Sequence, residues 1–326
     1  MRRFESSHPS QRQQGSPLAW VRTARTGQEQ VSDMNDTQAA APAPTSFRRA
    51  AFFTLSADRG WGQRTSLALA DLAEGARLWQ LVWTLAFYDI KLRYRGSALG
   101  PFWLTISTGV QVGAMAFLYG VLFHTDIHTY LPYLAISLVL WTYLNTLISE
   151  GSTCFTQTDT LIKGTRMPFS VHAARNVVRN TIVLGHNLIV IVVVFLIMGV
   201  HQSLYSLLAI PALALWMIDA LAISLLMGAL CARFRDLPQI ILSVMQIAFF
   251  ITPVIWYAKV LDSHPIGRLL VDLNPFYPIL EILRAPLLGT PVSTRLVLAA
   301  IGVSALLVGV AAIGFARMRG RVAYWV

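Results

Sequence analysis

Six long apolar stretches alternate with short polar segments after residue 100. Each stretch is long enough to cross about 30 Å of membrane hydrocarbon, which takes about 20 residues of α-helix. Since lipid offers the backbone no hydrogen bonds, apolar runs of this length predict transmembrane α-helices and an all-α polytopic membrane protein. The predicted spans are residues 101–123, 131–149, 180–200, 203–231, 237–258 and 296–316.

A different pattern precedes the first span, where apolar side chains recur every three or four positions within residues 65–96. This spacing predicts an amphipathic helix. Because its end is too charged to cross a bilayer, we expect it to lie in the membrane interface, although a helix packed on soluble protein would show the same pattern. The apolar stripe consists of Leu78, Leu81, Leu85, Tyr88 and Leu92.

Residues 1–64 are polar and rich in Gln, Ser, Thr, Arg and Ala. Such a segment buries too little apolar surface to fold alone, so it is predicted to be a disordered cytoplasmic tail. The predicted organisation is therefore a tail over residues 1–64, an interface helix over 65–96 and a six-span domain over 97–326.

Residues 269–289 are apolar but carry three prolines and the charged residues Asp272, Glu281 and Arg284. A straight helix exposed to lipid would leave these charges and some backbone groups without partners. The segment therefore predicts short helices that dip into the external membrane interface. An ordinary extracellular loop is the alternative.

The charged residues support the membrane prediction and give an orientation. Only 13% of the residues are charged, about half the share in soluble proteins. The net charge of +10 does not indicate nucleic-acid binding, because the basic residues form short clusters beside the apolar runs. If both termini share one side, the segments on that side hold 22 Lys and Arg residues and the others hold 4. The positive side is cytoplasmic, so both termini are predicted to be cytoplasmic.

Catalytic motifs are missing from the sequence. It has no Gly-x-x-x-x-Gly-Lys-Ser/Thr phosphate loop, no Gly-x-Ser-x-Gly elbow and no His-Glu-x-x-His helix, so we predict no ATP hydrolysis and no metal site in this chain. Cys154 and Cys231 have no metal-ligand spacing and are predicted to be buried thiols. Asp219, alone among carboxylates in the fourth span, could serve proton coupling, but a helix–helix contact with a Ser or Asn is the favoured interpretation.

Small and aromatic residues in the spans have common structural explanations. Gly109 and Gly113, with Gly120 further along, predict close helix packing. The aromatic residues near the span ends are typical of an interfacial belt, and aromatic faces also suit stacking on sugar rings. The candidates for a substrate pathway are Trp103, Tyr119, Trp141, Tyr143, Phe249, Phe250, Trp256 and Tyr257.

Residues 89–103, DIKLRYRGSALGPFW, resemble the segment of polysaccharide-export ABC permeases in which a basic interface helix turns into the first span. Further matches follow in the same order at residues 161–171, 235–256 and 274–275 and in the final RGRVAYWV, so the resemblance covers residues 77–326. Met167 departs from it, since many relatives have an aromatic residue there. The matched positions of the first motif are Lys91, Arg93, Tyr94, Arg95, Ser97, Leu99, Gly100 and Trp103.

The resemblance implies a homodimer of six-span subunits in the bacterial inner membrane, each bound by one separate ATPase subunit. ATP and Mg²⁺ would bind that partner, and no cofactor is expected in this chain. The implied cargo is a lipid-linked glycan of O-antigen type. The segment implied to contact the ATPase contains Asp159, Leu161, Lys163, Arg166, Met167 and Pro168, and the implied external gate contains Asn274, Pro275, Glu281 and Arg284.

Lys91, Arg93, Tyr94 and Arg95 are expected where the pyrophosphate of a lipid carrier would lie, and we expect them to bind this head group. Attraction to anionic lipid is the simpler explanation of the same charges. Other functions also remain open at this point: an ABC exporter of a drug or small lipid, an ion-coupled secondary transporter, or a membrane glycosyltransferase or lipid phosphatase.

Overall fold

The computed structural model describes residues 60–100 and 102–326, and this part of the chain contains α-helices, short 3₁₀ turns and no strand. The predicted tail lies outside the described residues except for its last five positions, where a helix has already begun. The helices are α1 (Trp61–Arg77), α2 (Trp79–Arg93), α3 (Phe102–Phe123), α4 (Ile127–Ser152), α5 (Asp159–Gly164), α6 (Phe169–Met198), α7 (Ala209–Arg233), α8 (Leu237–Ile251), α9 (Pro265–Leu273), α10 (Phe276–Leu287) and α11 (Thr294–Trp325).

The single interface helix predicted over residues 65–96 is two helices. The helix is interrupted at Leu78, whose N–H donates to the carbonyls of both Glu74 and Gly75 at 3.1 Å. The predicted apolar stripe is wrong by one position, because the buried face of α2 carries Val82, Ala86 and Ile90. Of the stripe residues, Leu78, Leu81 and Leu85 are half-buried, whereas Tyr88 and Leu92 are exposed.

Five helices in the described part of the chain are long and apolar enough to cross a membrane: α3, α4, α6, α7 and α11. The predicted span over residues 237–258 instead contains α8, which has 15 residues and is about 22 Å long. It ends at Ile251 because Pro253 disfavours the helical conformation for Thr252, whose φ of −79° and ψ of 138° are extended.

Two of the long helices extend beyond their predicted bounds. Helix α6 begins at Phe169, 11 residues before the predicted start, and contains Arg175 and Arg179. Helix α11 continues through three arginines to Trp325, 9 residues past the predicted end. In both cases the added residues form a charged segment, in which Arg175, Arg179 and Arg319 have carboxylate partners on other helices.

Helix α4 lies at the centre of the core, with most of its side chains buried, and packs against α3, α6, α7, α8 and α10. The backbones approach closely where α4 and the residues after it meet α7. A Cβ added at Gly151 would lie 2.6 Å from Ser224 Oγ, and one at Gly228 would lie 2.7 Å from Cys154 Sγ.

The glycines of α3 do not show the predicted close packing within the described residues. A Cβ added at Gly109 would approach only Val190, at 3.9 Å, and one at Gly113 or Gly120 would meet nothing within 4 Å. The glycines that allow close packing in the described bundle are instead Gly151 of α4 and Gly228 of α7, together with Gly75 of α1 and Gly314 of α11.

Candidate functional sites at the ends of the helix bundle

A network of charged side chains connects α2, α4 and α6. The carboxylate of Asp89 accepts a hydrogen bond from Arg175 Nε at 2.6 Å and another from Arg179 Nη1 at 3.2 Å. Glu150 accepts from Arg93 Nη2 at 2.9 Å and from Arg179 Nη2 at 2.7 Å. We call these five residues the Asp89–Glu150 network. It neutralises the charges that α6 carries in its first turns.

The residues predicted to bind a lipid head group lie at the end of α2 and in the turn after it. Arg93 belongs to the Asp89–Glu150 network, yet its side chain is 45% exposed. The side chains of Lys91 and Arg95 are exposed and form no hydrogen bond or ion pair with another described residue. Tyr94 is half-buried. The predicted site is therefore an exposed basic surface, with Arg93 linked to the protein interior.

Sequence reasoning missed Glu150, Arg175 and Arg179 as partners of this surface. Glu150 lies one residue past the predicted end of the second span, and the arginines were counted only as loop charges. Arg175 is 86 residues from Asp89, a separation at which one sequence gives no pairing signal.

The predicted ATPase-contact segment contains a separate helix, α5, of six residues. Ile162 anchors it by packing against the apolar cluster around Phe155 and Phe315. Its outer face exposes Thr160 and Lys163, and the ammonium of Lys163 donates to the backbone carbonyl of Val326 at 2.9 Å. Of the other predicted residues, Arg166 is exposed, Asp159, Leu161 and Met167 are half-buried, and Pro168 is buried.

Directly after this segment, Asp71 of α1 caps the start of α6. Its carboxylate accepts hydrogen bonds from the backbone N–H groups of Phe169 and Ser170, at 3.2 and 2.9 Å, and from Arg319 Nε at 2.8 Å. A carboxylate at this position satisfies helix N–H groups and favours the positive end of the helix dipole. Asp71 is only 1% exposed. It therefore joins α1, α6 and α11 at one buried point that the sequence did not predict.

The residues predicted as an external gate meet around the segment that follows α8. Arg284 is 2% exposed, and its Nη1 donates to Tyr133 Oη at 2.8 Å, Ser137 Oγ at 3.0 Å and the Pro253 carbonyl at 2.6 Å. Its other side pairs with Glu281. Arg284 is thus a buried cation that fixes the backbone after α8 to α4 and α10.

Asn274 and Pro275 lie between α9 and α10. The side-chain amide of Asn274 donates to Thr252 Oγ1 at 2.9 Å, and its oxygen accepts from the Phe276 N–H at 2.9 Å. Asn274 thereby links the end of α8 to the start of α10. The short helices α9 and α10 occupy this region, and their position at an external gate stays a prediction.

The aromatic residues predicted to line a substrate pathway differ in how far their side chains are exposed. Trp141 and Tyr143 are buried in the protomer, where Trp141 contacts Phe249 and Tyr143 stacks on Trp216. Both side chains thus belong to the core of the protomer, and their place in a substrate pathway stays a prediction. Trp103 and Phe250 are exposed, and Tyr119, Phe249, Trp256 and Tyr257 are half-buried. Their role in substrate passage stays a prediction.

The remaining candidates have structural roles in the described residues. Asp219 is buried and accepts a hydrogen bond from Ser304 Oγ at 2.7 Å, which confirms the predicted helix–helix contact with a Ser. Cys154 and Cys231 are free and buried, as predicted. The described part of the chain contains no group of three or more potential metal ligands.

Comparison with known proteins identifies the family. Residues 80–288 match the family described as ABC-2 type transporter. The chain belongs to the ABC-2 type transporter family. This permease therefore acts as the transport subunit in the membrane and works with an ATPase partner, and the predicted membership of the ABC permeases is confirmed.

Two relatives of this permease carry the name O-antigen export system permease protein RfbA. One, from Myxococcus xanthus, is 23% identical over 205 residues, which cover 63% of this chain and 79% of the relative. The other, from Klebsiella pneumoniae, is 24% identical over 187 residues, which cover 57% of this chain and 72% of the relative. The family match over residues 80–288 contains α5, the Asp89–Glu150 network, the segment around Arg284 and all of α2 except Trp79.

Proposed function

We propose that this permease exports a lipid-linked polysaccharide of O-antigen type from the cytoplasm to the periplasm. The observation that carries the proposal is its similarity to two relatives named O-antigen export permeases. The working unit is a homodimer of this chain with two ATPase subunits, located in the bacterial inner membrane with both termini cytoplasmic. ATP and Mg²⁺ bind the ATPase subunits.

The sixth crossing consists of α8 and the segment that follows it. Helix α8 alone is about 8 Å shorter than the hydrocarbon core, and residues 252–257, which are not helical, complete the crossing. Irregular backbone is tolerated at membrane depth where protein covers it. Thr252 and Val254 are both 0% exposed, and Tyr130 Oη donates to the Ile255 carbonyl at 2.6 Å, which supports this topology. Helices α9 and α10 then lie at the external interface and form the gate.

Helix α5 receives the motion of the ATPase. Its anchored side, at Ile162, transmits force to the apolar cluster that it packs against. Its exposed side, at Thr160 and Lys163, is accessible to the partner, and Lys163 also donates to the Val326 carbonyl. Pro168 and the start of α6 follow within a few residues. Since α6 has 30 residues and so spans about 45 Å, movement at α5 reaches the opposite side of the membrane.

Reconstitution tests the transport proposal. The permease and its ATPase are placed in proteoliposomes with a lipid-linked O-antigen, and transfer of the glycan across the membrane is measured with and without ATP. We expect transfer only with ATP and only with both subunits, and an ATPase variant unable to hydrolyse ATP is the control. Transport driven by an ion gradient, or transport of drugs or small lipids while the glycan stays in place, would refute the proposal.

Substitutions on the exposed side of α5 test the coupling assignment. Thr160→Trp and Lys163→Glu change surface side chains while leaving the anchor at Ile162 intact. We expect both variants to lose co-purification of the ATPase while the permease folds normally. Gln202→Glu, an exposed substitution in the loop after α6, is the matched control. Retention of the ATPase by both α5 variants would refute the assignment.

A further inference from the structure

Arg93 can leave the Asp89–Glu150 network without leaving a buried charge unpaired. The two oxygens of Glu150 have separate partners among the described residues: Oε1 accepts from Arg93 alone, whereas Oε2 accepts from Arg179 at 2.7 Å and from Asn180 at 2.8 Å. The side chain of Arg93 is 45% exposed and that of Arg179 only 13%. Exposed ion pairs contribute little to stability. The Arg93–Glu150 contact is therefore the one that opens most easily.

The surroundings of Arg93 favour a polyanionic ligand with phosphate geometry. A guanidinium binds phosphate through two parallel hydrogen bonds, which makes it a better partner for phosphate than a single contact to one carboxylate oxygen. Lys91 and Arg95 are exposed two positions away on either side and add positive charge. A diphosphate carries more negative charge than the single phosphate of common membrane lipids, so it competes more strongly with Glu150.

We infer that Arg93 exchanges partners during transport, from Glu150 in the resting permease to the diphosphate of the lipid carrier when cargo binds. The inference rests on the proposed function, because it assigns the ligand of that same basic surface. Glu150 acts as an internal competitor for Arg93. It thereby excludes weakly charged phospholipid head groups from the site and makes it selective for diphosphates.

Binding of short prenyl phosphates tests the exchange on the complete transporter, with ATPase, in nanodiscs of neutral lipid. The probes are farnesyl diphosphate, farnesyl monophosphate and inorganic pyrophosphate, so that head group and lipid tail are separated. We expect wild type to prefer farnesyl diphosphate, and Arg93→Gln to weaken its binding by about tenfold or more. Glu150→Gln should tighten binding of both farnesyl phosphates and reduce the preference for the diphosphate.

A double-mutant cycle distinguishes competition from a general charge effect. Since Glu150 acts through Arg93, we expect Glu150→Gln to have no further effect in the Arg93→Gln background. Glu74→Gln, which neutralises an exposed carboxylate on α1, should leave all affinities unchanged. Equal tightening by Glu150→Gln with and without Arg93 would overturn the inference.

A structure of the wild-type transporter with farnesyl diphosphate gives a measurement that does not depend on variants. We expect the guanidinium of Arg93 to contact phosphate and to have left Glu150, with Arg179 still on Glu150. A bound diphosphate with the Arg93–Glu150 pair still intact would overturn the inference but leave the proposed exporter standing. Absence of any diphosphate binding to wild type would overturn both the exchange and the proposed head-group site.

Discussion

The carboxylate of Asp71 accepts a hydrogen bond from the backbone N–H of Ser170 at 2.9 Å. The two residues are 99 positions apart, and the contact joins the helix α1 to the first turn of α6, immediately after the segment proposed to contact the ATPase. The hydroxyl of Ser170 returns a hydrogen bond to the Asp71 carbonyl at 2.7 Å. Gly75, one turn later, lets α1 approach this point, because an added Cβ would lie 2.1 Å from Ser170 Oγ.

Replacing Asp71 should destabilise the permease strongly. Asp71→Ala removes the cap of α6 and the partner of Arg319, and we expect a loss of about 3 kcal/mol in the free energy of unfolding. The midpoint of thermal unfolding in detergent measures the effect. Glu74→Ala removes an exposed carboxylate three positions along α1 and should change the midpoint little. Equal midpoints for the two variants would contradict the capping role.

Close packing of α7 against the residues after α4 predicts that Gly228 tolerates no side chain. A Cβ there would lie 2.7 Å from Cys154 Sγ and 3.0 Å from the Phe155 ring, so Gly228→Ala should cost about 1–3 kcal/mol through overpacking. Gly302→Ala is the control, because a Cβ at that position in α11 meets nothing within 4 Å. Thermal unfolding of both variants should show a lower midpoint for Gly228→Ala alone.

Arg284 should be irreplaceable even by lysine. Its guanidinium donates in several directions at once, to Tyr133, Ser137, the Pro253 carbonyl and Glu281, and an ammonium group lacks that planar geometry. We expect Arg284→Met and Arg284→Lys each to destabilise the fold by about 3–5 kcal/mol, the cost of breaking a buried pair. Proteolysis of the segment after α8 should also accelerate.

Exposed Arg268 provides the matched comparison for Arg284. Arg268→Met and Arg268→Lys should behave like wild type in the unfolding and proteolysis measurements. If Arg284→Lys also behaved like wild type, a simple positive charge would suffice at that position, and the multi-directional hydrogen bonding would not be what holds the segment.

The native thiols should not react with maleimide at neutral pH. Burial raises the pKa of the Cys154 thiol, so the reactive thiolate is scarce until the pH reaches well above the usual thiol range, and Cys231 is buried as well. Single exposed cysteines can then be introduced without removing the native cysteines, and their labelling reports the topology of the protein. Labelling of Cys154 in the folded protein at neutral pH would contradict this burial.

Cysteines on both sides of α8 test whether it completes a sixth crossing. We expect a membrane-impermeant maleimide added outside spheroplasts to label Asp262→Cys but not Arg235→Cys or Lys163→Cys. The last two should react after the membrane is opened. All three substituted residues are exposed, so a difference in labelling reports sidedness. Labelling of Arg235→Cys from outside would show that α8 does not cross.

Most of the helices could be predicted because a helix that crosses lipid needs a run of about 20 apolar residues, which is visible in the sequence. Five predicted spans correspond to long helices, and the short helices before α11 were indicated by Pro275 and the charges around it. Pro253 lies inside the predicted fifth span and was a usable signal that the helix ends there. The break at Leu78 had no such signal, since no proline or β-branched run marks it, and the two helices that meet there both contact α6.

Only those parts of the candidate sites whose residues are close together in the sequence could be predicted. The basic cluster at Arg93 and the segment at Lys163 could be found because their residues are neighbours in the chain. The partners that give them structure are distant: Glu150 lies 57 positions from Arg93, and Asp71 lies 248 positions from Arg319. A single sequence also could not show that Arg284 is buried, because charge alone suggested an external surface.

Helix α11 has 32 residues without interruption, which gives it a length of about 48 Å, well beyond the roughly 30 Å of hydrocarbon. A rod of that length amplifies tilt, since a rotation of about 5° about one end moves the other by about 4 Å. The end of α11 that carries Arg319 is held to α1 by the ion pair with Asp71. A change in the tilt of α11 therefore displaces α1 as well, and a displacement of α1 tilts α11 in return.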